Sequence, residues 1–375
     1  MSRPRVFFYV QHLLGIGHTV RAAALTRAMR RLGLDVVYVS GGFDALDDDL
    51  AGAVVHRLPP VRSADASYTT LLGEGDTPID DAWRDRRRDA LLAAYRETQP
   101  DVVLIETFPF GRWPFRFELL PLLQEARGAA RILCSLRDVL VPKTKPSRLK
   151  AIVEMIETYF DAILVHGDPG FVRLDETFAP ASRIAAKLHY TGYVADPVDA
   201  PQDGAGAGEV VVSAGGGGTG GPMMRTALAA HALTSLADAP WRFLIGPNMP
   251  RQDAAALKGD AGIIVEPVRA DFPALLSRAA VSVSQGGYNT VMDILTAGAR
   301  SIVVPFSAHG QSEQLHRARL LAARGGITLV GEEGLTPETL AAAIDRAVAG
   351  PRARPDGIDL GGARRSAELI AAAAA

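Results

Sequence analysis

Short apolar runs alternate with longer amphipathic stretches along most of the chain. In the first half, runs of four or five apolar residues predict buried strands at 6–10, 36–39, 102–105, 132–136 and 162–165. Helical periodicity between them predicts helices such as 22–31, 81–98 and 147–158. Strands that alternate with helices imply a parallel sheet with both faces covered. The first half therefore predicts a doubly wound α/β domain.

The second half repeats this alternation after a stretch rich in Pro, Gly and Ala. Further strands are predicted at 209–213, 243–245, 263–265, 281–284, 301–304 and 327–330. The stretch before them has no periodicity and is typical of an interdomain linker. We predict a first domain at 1–200, a linker at 201–208 and a second domain at 209–375, whose last helix is free to pack back on the first. The predicted fold class is α/β with two Rossmann-like doubly wound parallel sheets.

Composition agrees with two soluble domains and argues against a nucleic-acid partner, a disulfide and a membrane helix. A chain of 375 residues, 48% of them hydrophobic, can bury two cores. With 40 basic and 42 acidic residues, the net charge of −2 gives no reason to expect nucleic acid as a partner. The single Cys134 excludes an intrachain disulfide and fits a reducing compartment. No run reaches the roughly 18 apolar residues of a membrane helix, and no signal-peptide cleavage site follows the first run, so we expect a cytoplasmic protein.

The most informative stretch is residues 281–315. A predicted strand ends at Gly286 and Gly287, a helix starts near Asn289, and Asp293 follows one turn later. Glycines at a helix start let backbone N–H groups approach a phosphate, and an acidic side chain there can accept hydrogen bonds from a ribose diol. An ordinary β-α-β unit with a glycine turn is the alternative. The polar loop that follows the next strand favours a nucleotide site; it carries His309, Glu313 and Gln314.

This stretch resembles the donor-binding half of glycosyltransferase family 28, the MurG-like enzymes. In that family a glycine turn, a helix with an acidic residue and a proline-ended strand with a paired-glutamine loop bind a UDP-sugar. The matching residues are Gly286, Gly287, Asn289, Thr290, Asp293, Pro305, Glu313 and Gln314. The acidic residue is Asp rather than Glu, and Glu313 replaces the first glutamine, which leaves the sugar nucleotide open. The resemblance implies the GT-B architecture, in which two Rossmann-like domains face each other across a cleft.

A second motif follows the first predicted strand. Gly15 and Gly17 precede His18 at a predicted helix start, which resembles the N-terminal glycine loop of the same family. The helix dipole disfavours a charged histidine there, so His18 would be neutral and able to remove a proton from an acceptor hydroxyl. A helix cap or a phosphate contact is the alternative. The family has a threonine where this chain has Gly15, so a contact from that hydroxyl is missing.

A third glycine cluster, SAGGGGTGG at 213–221, follows the first strand of the second domain. Its position between a strand and a predicted helix at 223–236 suits a diphosphate site, although a flexible surface loop is also possible. The donor-binding candidates in this cluster are Gly215, Gly216, Gly217 and Thr219. Gly217 stands where relatives carry a serine, and Thr219 can supply the hydroxyl instead. Val268 lies where relatives present backbone groups to the nucleobase.

Three polar residues at other predicted strand ends are second choices for chemistry or structural hydrogen-bonding groups: Glu106, Asp138 and His166. We expect no metal ion, because the acidic run Asp47–Asp49 lies in a polar loop rather than at a strand end. Residues 108–117 hold five aromatic side chains. They predict a loop packed on its own domain, with an acceptor pocket or a peripheral contact with lipid headgroups as the alternatives.

These observations predict a metal-independent, inverting glycosyltransferase without a cofactor. It would transfer a hexose or N-acetylhexosamine from a UDP-type sugar to an unidentified hydroxyl acceptor, lipid-linked or glycan. A UDP-sugar 2-epimerase of the same fold and a non-catalytic nucleotide-sugar-binding protein are the alternatives. A nicotinamide dehydrogenase is disfavoured, because Asp35 comes before its predicted strand rather than at the ribose-binding position.

Overall fold

A computed structural model of the chain contains two compact units. One comprises Met1–Leu14, His18–Val194 and Ile358–Ala375, and the other comprises Gly15–Gly17 and Ala195–Gly357. The structure describes residues 3–13, 17–43, 50–64, 70–141, 145–195, 204–216, 218–257, 262–306, 313–352 and 357–375. The C-terminal residues, 358–375, thus lie in the first unit, which the sequence allowed for the last helix.

The first unit is built on a parallel seven-stranded sheet. Its strands are β1 (Arg5–Val10), β2 (Asp35–Ser40), β3 (Val54–Arg57), β6 (Val102–Glu106), β7 (Arg131–Arg137), β8 (Ala162–His166) and β9 (Leu188–Tyr190). They lie in the order β3-β2-β1-β6-β7-β8-β9. A short antiparallel pair, β4 (Arg62–Ser63) and β5 (Leu71–Leu72), stands apart from this sheet. The sequence predicted five of the seven strands; the two edge strands β3 and β9 are short and half-polar.

Helices cover both faces of this sheet. They are α1 (Gly17–Arg31), α2 (Asp81–Thr98), α3 (Arg116–Ala126), α4 (Pro146–Tyr159) and α11 (Gly362–Ala373). The residues of strand β1 are nearly all apolar, because both faces of the strand are buried. Phe7 and Tyr9 pack in one core cluster, whereas Val6, Phe8 and Val10 pack in the other. Successive side chains of a strand point to opposite faces, so a sheet that is covered twice needs apolar residues at every position.

The second unit repeats the scheme with a parallel six-stranded sheet. Its strands are β10 (Val210–Ser213), β11 (Trp241–Ile245), β12 (Ile263–Pro267), β13 (Val281–Ser284), β14 (Ser301–Val303) and β15 (Thr328–Leu329), in the order β12-β11-β10-β13-β14-β15. The helices are α5 (Gly221–Ala230), α6 (Arg251–Ala255), α7 (Phe272–Arg278), α8 (Tyr288–Ala297), α9 (Glu313–Ala323) and α10 (Pro337–Ala349). The helix predicted at 223–236 ends earlier, at Ala230, and continues as a 3-10 turn at His231–Leu233.

Strand order reverses direction between β10 and β13, which pair in parallel at the centre of the second sheet. In open α/β sheets the carboxyl ends of strands at such a point form a ligand-binding crevice. Among the residues that the structure describes, no helix is both long enough and apolar enough to cross a membrane.

Candidate functional site

The first unit holds a histidine–carboxylate pair at the carboxyl ends of two neighbouring strands. His18 lies in the first turn of α1, which follows β1, and Glu106 is the last residue of β6, which pairs with β1. The Nδ1 atom of His18 is 3.1 Å from both carboxylate oxygens of Glu106. An ionised carboxylate only accepts hydrogen bonds, so Nδ1 carries the hydrogen and Nε2 keeps its lone pair. His18 can therefore take up a proton at Nε2.

Burial determines the charge state of this pair. It lowers the pKa of His18 to about 4, and the charges of Arg112 and Arg21 act in the same direction against the opposing effect of Glu106. The His18 side chain is 22% exposed to solvent, whereas the Glu106 side chain is 1% exposed. Burial alone would raise the pKa of Glu106, but His18, Arg21 and Thr107 together hold that pKa well below its usual value. At neutral pH the histidine is uncharged and the carboxylate is ionised.

Two further side chains hold the Glu106 carboxylate. Arg21 follows His18 by three residues on α1, is 3% exposed, and its Nη2 atom donates to Oε1 of Glu106. The hydroxyl of Thr107 donates to Oε2. Thr107 has a φ of 68°, a left-handed conformation that is rare for a β-branched residue, and its N–H donates to the Ser135 carbonyl at 2.8 Å. We call His18, Arg21, Glu106 and Thr107 the His18 cluster.

The other two strand-end candidates lie in a buried network of the same unit. Asp138 is 1% exposed and accepts a hydrogen bond of 2.9 Å from the Tyr193 hydroxyl. His166 is fully buried, with its ring nitrogens 2.8 Å from the Ser135 hydroxyl and 3.1 Å from the Thr191 hydroxyl. Burial lowers the pKa of His166 to about 3. Both side chains are buried and hydrogen-bonded, and their roles stay predictions.

The aromatic residues of 108–117 mostly pack inside the first unit. Phe108, Phe110 and Phe115 are buried in its core. Trp113 is only half-buried, and its ring is contacted by two guanidinium groups, that of Arg148 at 3.8 Å and that of Arg116 at 4.5 Å. The expectation of a loop packed on its own domain is confirmed for the three phenylalanines.

In the second unit, the first glycine turn follows β10 and lies against the end of β11. Gly215 has a φ of 66° and donates its N–H to the Ser213 hydroxyl at 3.2 Å. A Cβ atom at Gly246 would lie 2.1 Å from the Gly215 carbonyl oxygen, so only glycine fits there. The Asn248 side chain donates to the Gly216 carbonyl at 2.8 Å. Thr219 is exposed, and Gly221 begins α5, so the last glycine of the run belongs to the helix rather than to the loop.

The second glycine turn joins β13 to α8. Gly287 is the N-cap of α8, Asn289 and Thr290 lie in its first turn, and Asp293 is half-buried one turn later. A Cβ atom at Gly215 would be 3.6 Å from the Thr290 hydroxyl, which shows that the two glycine turns meet. Backbone N–H groups at the start of a helix attract anions. The structure thus brings together the two motifs that the sequence assigned to a diphosphate.

The polar residues after β14 begin α9. Glu313 is the first residue of that helix and 7% exposed, and the Gln314 side-chain oxygen accepts from the Phe306 N–H at 3.0 Å. The N–H of Val268 donates to the Ile245 carbonyl at 2.9 Å, so only its carbonyl could meet a nucleobase. Three predicted donor-binding residues lie outside the described part of the chain: Gly15, Gly217 and His309.

Two buried groups beside the second glycine turn were not predicted. Arg317 on α9 is fully buried and donates to the Gly286 carbonyl at 3.4 Å, with its guanidinium 5.5 Å from the Tyr288 ring. Gln285, 8% exposed, lines a cavity of about 160 Å³ next to the turn. The remaining lining residues of the cavity are Thr219, Pro222, Met223, Thr226, Val304, Glu332 and Leu335.

No group of three or more His, Cys, Asp or Glu residues that could hold a metal ion occurs within the described ranges. The acidic run Asp47–Asp49 lies outside them.

Comparison with known proteins shows which enzymes this chain is similar to. Residues 212–356 match the glycosyltransferase family 28 C-terminal domain. A relative from Phenylobacterium zucineum is 26% identical over 355 residues, which cover 89% of this chain and 87% of the relative. That relative is a UDP-N-acetylglucosamine–N-acetylmuramyl-(pentapeptide) pyrophosphoryl-undecaprenol N-acetylglucosamine transferase. The chain thus carries a family 28 C-terminal domain and is a glycosyltransferase similar to MurG.

Solved structures give the same fold for this glycosyltransferase. The kitacinnamycin glycosyltransferase superimposes with a TM-score of 0.68 at 18% identity and covers 100% of both chains. MurG of Acinetobacter baumannii superimposes with a TM-score of 0.58 at 14% identity, over 98% of this chain and 99% of its own. At such identities the likeness concerns the fold alone, and it confirms the GT-B class that the sequence predicted.

The family match of the glycosyltransferase includes both glycine turns of the second unit, α8 with Asp293, and the start of α9. The His18 cluster lies outside the matched range. The roles of individual side chains in both units therefore stay predictions.

Proposed function

We propose that this glycosyltransferase transfers a hexose or N-acetylhexosamine from a UDP-type sugar to a hydroxyl group, with inversion at the anomeric carbon. His18 acts as the general base in this proposal. The observation that carries it is the pairing of His18 Nδ1 with both oxygens of Glu106, because it leaves Nε2 as the proton-accepting atom. Glu106 orients the ring and is itself too acidic to serve as the base.

The reaction would proceed in one displacement. The acceptor oxygen attacks the anomeric carbon while its proton passes to Nε2 of His18, and the bond from that carbon to the diphosphate oxygen breaks. Attack opposite the leaving group inverts the configuration. Burial makes His18 a weak base. It therefore takes the proton only as the attacking oxygen loses electron density to the new bond and becomes more acidic.

Donor binding is assigned to the second unit. Backbone N–H groups of the glycine turn after β10 and the N-terminus of α8 would hold the diphosphate and stabilise the charge that develops on it, without a metal ion. Asp293 would accept hydrogen bonds from the ribose hydroxyls, and Glu313 with Gln314 would contact the sugar. The meeting of the two glycine turns at Gly215 and Thr290 supports this assignment.

The acceptor is proposed by analogy with the Phenylobacterium relative, whose name specifies a pyrophosphoryl-undecaprenol acceptor. We propose a lipid-linked or glycan acceptor for a cell-envelope polymer, and action in the cytoplasm at the inner face of the membrane. Trp113 with its two arginines is a part of the aromatic segment that remains accessible for such a contact. A transferase rather than an epimerase is favoured, because the name of the relative specifies a transferase.

The proposal is tested by incubating the protein with a panel of UDP- and dTDP-sugars and measuring nucleotide release with and without candidate acceptors. We expect one donor to be consumed, the product anomer by NMR to be inverted, and His18→Ala to lose activity while it still binds the donor. His189→Ala is the matched control, since His189 is an exposed histidine of the same unit. Donor binding without turnover by the wild-type protein under all conditions would instead support a non-catalytic sugar-nucleotide-binding protein.

A further inference from the structure

Arg21 makes the closest cationic contact in the His18 cluster, and the assignment of His18 as the base gives it no role of its own. Its guanidinium donates to Oε1 of Glu106, and its Nη2 atom lies 3.3 Å from His18 Nδ1. Both nitrogens are donors, because Nδ1 already carries the hydrogen that points to Glu106. Arg21 and His18 are therefore two donors that share one carboxylate, rather than partners of each other.

This sharing has a mechanical consequence. A carboxylate on a single side chain can rotate about its terminal bond, and a histidine that faces it can then adopt more than one orientation. Here Arg21 fixes Oε1 and Thr107 fixes Oε2, so both oxygens stay at 3.1 Å from Nδ1. The guanidinium is a rigid fork of donors, which suits it to this task better than an ammonium group.

The sharing of the Glu106 carboxylate by Arg21 and His18 also has an electrostatic consequence. A carboxylate that faces histidine without a second cation would favour the imidazolium form and make the histidine a stronger base. Arg21 opposes that effect, because its positive charge acts on both members of the pair. Among the described residues, ionisable groups that interact with the cluster include Arg112 on the loop after β6, Cys134 on β7 and His166 on β8. Cys134 and His166 are buried and uncharged at neutral pH, so the balance depends mainly on the two arginines and Glu106.

We propose that Arg21 is a positioning residue for the transfer reaction, which fixes the Glu106 carboxylate so that this carboxylate holds His18 Nδ1 and leaves Nε2 to accept the proton. The proposal rests on the proposed function of His18 as the base. It assigns to Arg21 no contact with substrate; the residue is 3% exposed and acts through Glu106.

The test combines kinetics with NMR titration of His18 in protein labelled at its histidine rings. In Arg21→Met the carboxylate loses its counter-charge, so the pKa of His18, now about 4, should rise by at least about one unit. The acidic limb of the kcat profile should move upward with it, and kcat should fall roughly tenfold or more with little change in donor KM. Arg31→Met on the exposed end of the same helix is the matched control and should leave both quantities unchanged.

A double-mutant cycle separates positioning from mere folding support. If Arg21 acts through Glu106, Arg21→Met should add less than about a threefold loss to Glu106→Gln, because the group that Arg21 holds is already gone. The double variant also removes both buried charges, so it tests the idea even if Arg21→Met alone does not fold. Independent, multiplying losses would overturn the proposal, as would an unmoved His18 titration in Arg21→Met.

Arg21→Lys gives a further check, because it keeps the charge and loses the fork. Its His18 pKa should stay within about half a unit of wild type while kcat falls. The NMR titration needs no substrate and is therefore independent of the assigned reaction. A raised His18 pKa in a protein that transfers no sugar would refute the proposed function and leave the coupling of Arg21 to His18 in place.

Discussion

The low pKa of His18 predicts that transfer persists into acidic solution. A histidine with the ordinary pKa of about 6.5 is roughly one-tenth neutral at pH 5.5, and its rate as a base would have fallen by about tenfold there. With a pKa of about 4, His18 stays almost entirely neutral at pH 5.5 and is half protonated only near pH 4. The acidic limb of kcat should therefore lie near pH 4, about two and a half units below that of an exposed histidine.

The same shift predicts the pH dependence of folding. The folded protein holds the pKa of His18 below its unfolded value, so between pH 6.5 and pH 4 the unfolded chain binds more protons at this residue. The stability that the neutral ring contributes is present above that window and is lost as the pH falls through it. A shift of this size corresponds to at most about 3 kcal/mol.

These expectations are measured together. Nucleotide release under saturating donor is recorded from about pH 4 to pH 8, and urea unfolding of wild type and His18→Gln is followed at about pH 7 and pH 5. His18→Ala should lose about a hundredfold or more in kcat, and its residual rate should lack the acidic limb. In His18→Gln, the free energy of unfolding should fall less than in wild type between pH 7 and pH 5. An acidic limb near pH 6 to 7 in wild type, matched by an equal stability loss in both proteins, would refute the assigned burial of His18.

Three further results are expected of the second unit, to which we assign donor binding. Asp293→Ala should weaken UDP binding by about 1–3 kcal/mol in calorimetry, the cost of leaving ribose hydroxyls unpaired, and unchanged affinity would contradict the assignment; Glu333→Ala at an exposed acidic position is the control. Gly246→Ala should lower donor affinity with the fold retained by circular dichroism, because its Cβ would push on the Gly215 carbonyl, and normal affinity would show that the turn does not hold the diphosphate. Turnover should continue in excess EDTA, and a loss that Mg²⁺ or Mn²⁺ restores would show a metal requirement.

The sequence predicted the central strands, because a doubly covered parallel sheet requires continuous apolar runs, and short runs flanked by turn residues favour strand over helix. It missed β3 and β9, whose edge positions leave one side polar, and it extended α5 beyond Ala230, because alanine and leucine favour helix whether or not tertiary contacts continue it. Both errors arise where local preference and tertiary packing disagree.

The candidate site was predicted only in part, for a related reason. His18 and Glu106 were found separately as strand-end residues, but their pairing depends on β1 and β6 being neighbours, which no local pattern reveals. A signal for Arg21 did exist, since it follows His18 by three residues and therefore shares its helix face. Arg317 and Gln285 gave no such signal: Arg317 lies one turn inside α9, and a polar residue such as Gln285 is common at the end of any strand.

The placement of α11 in the first unit bears on how the chain is made. Ala367 and Ile370 are buried in the same core cluster as Val6 and Phe8, and the Ser366 hydroxyl lies 3.4 Å from His166. During synthesis the first unit therefore leaves the ribosome with one face of its sheet incompletely covered, and residues 358–375 complete it only after the second unit has been translated. The second unit can thus complete its core before the first unit does, although it follows most of that unit in the sequence.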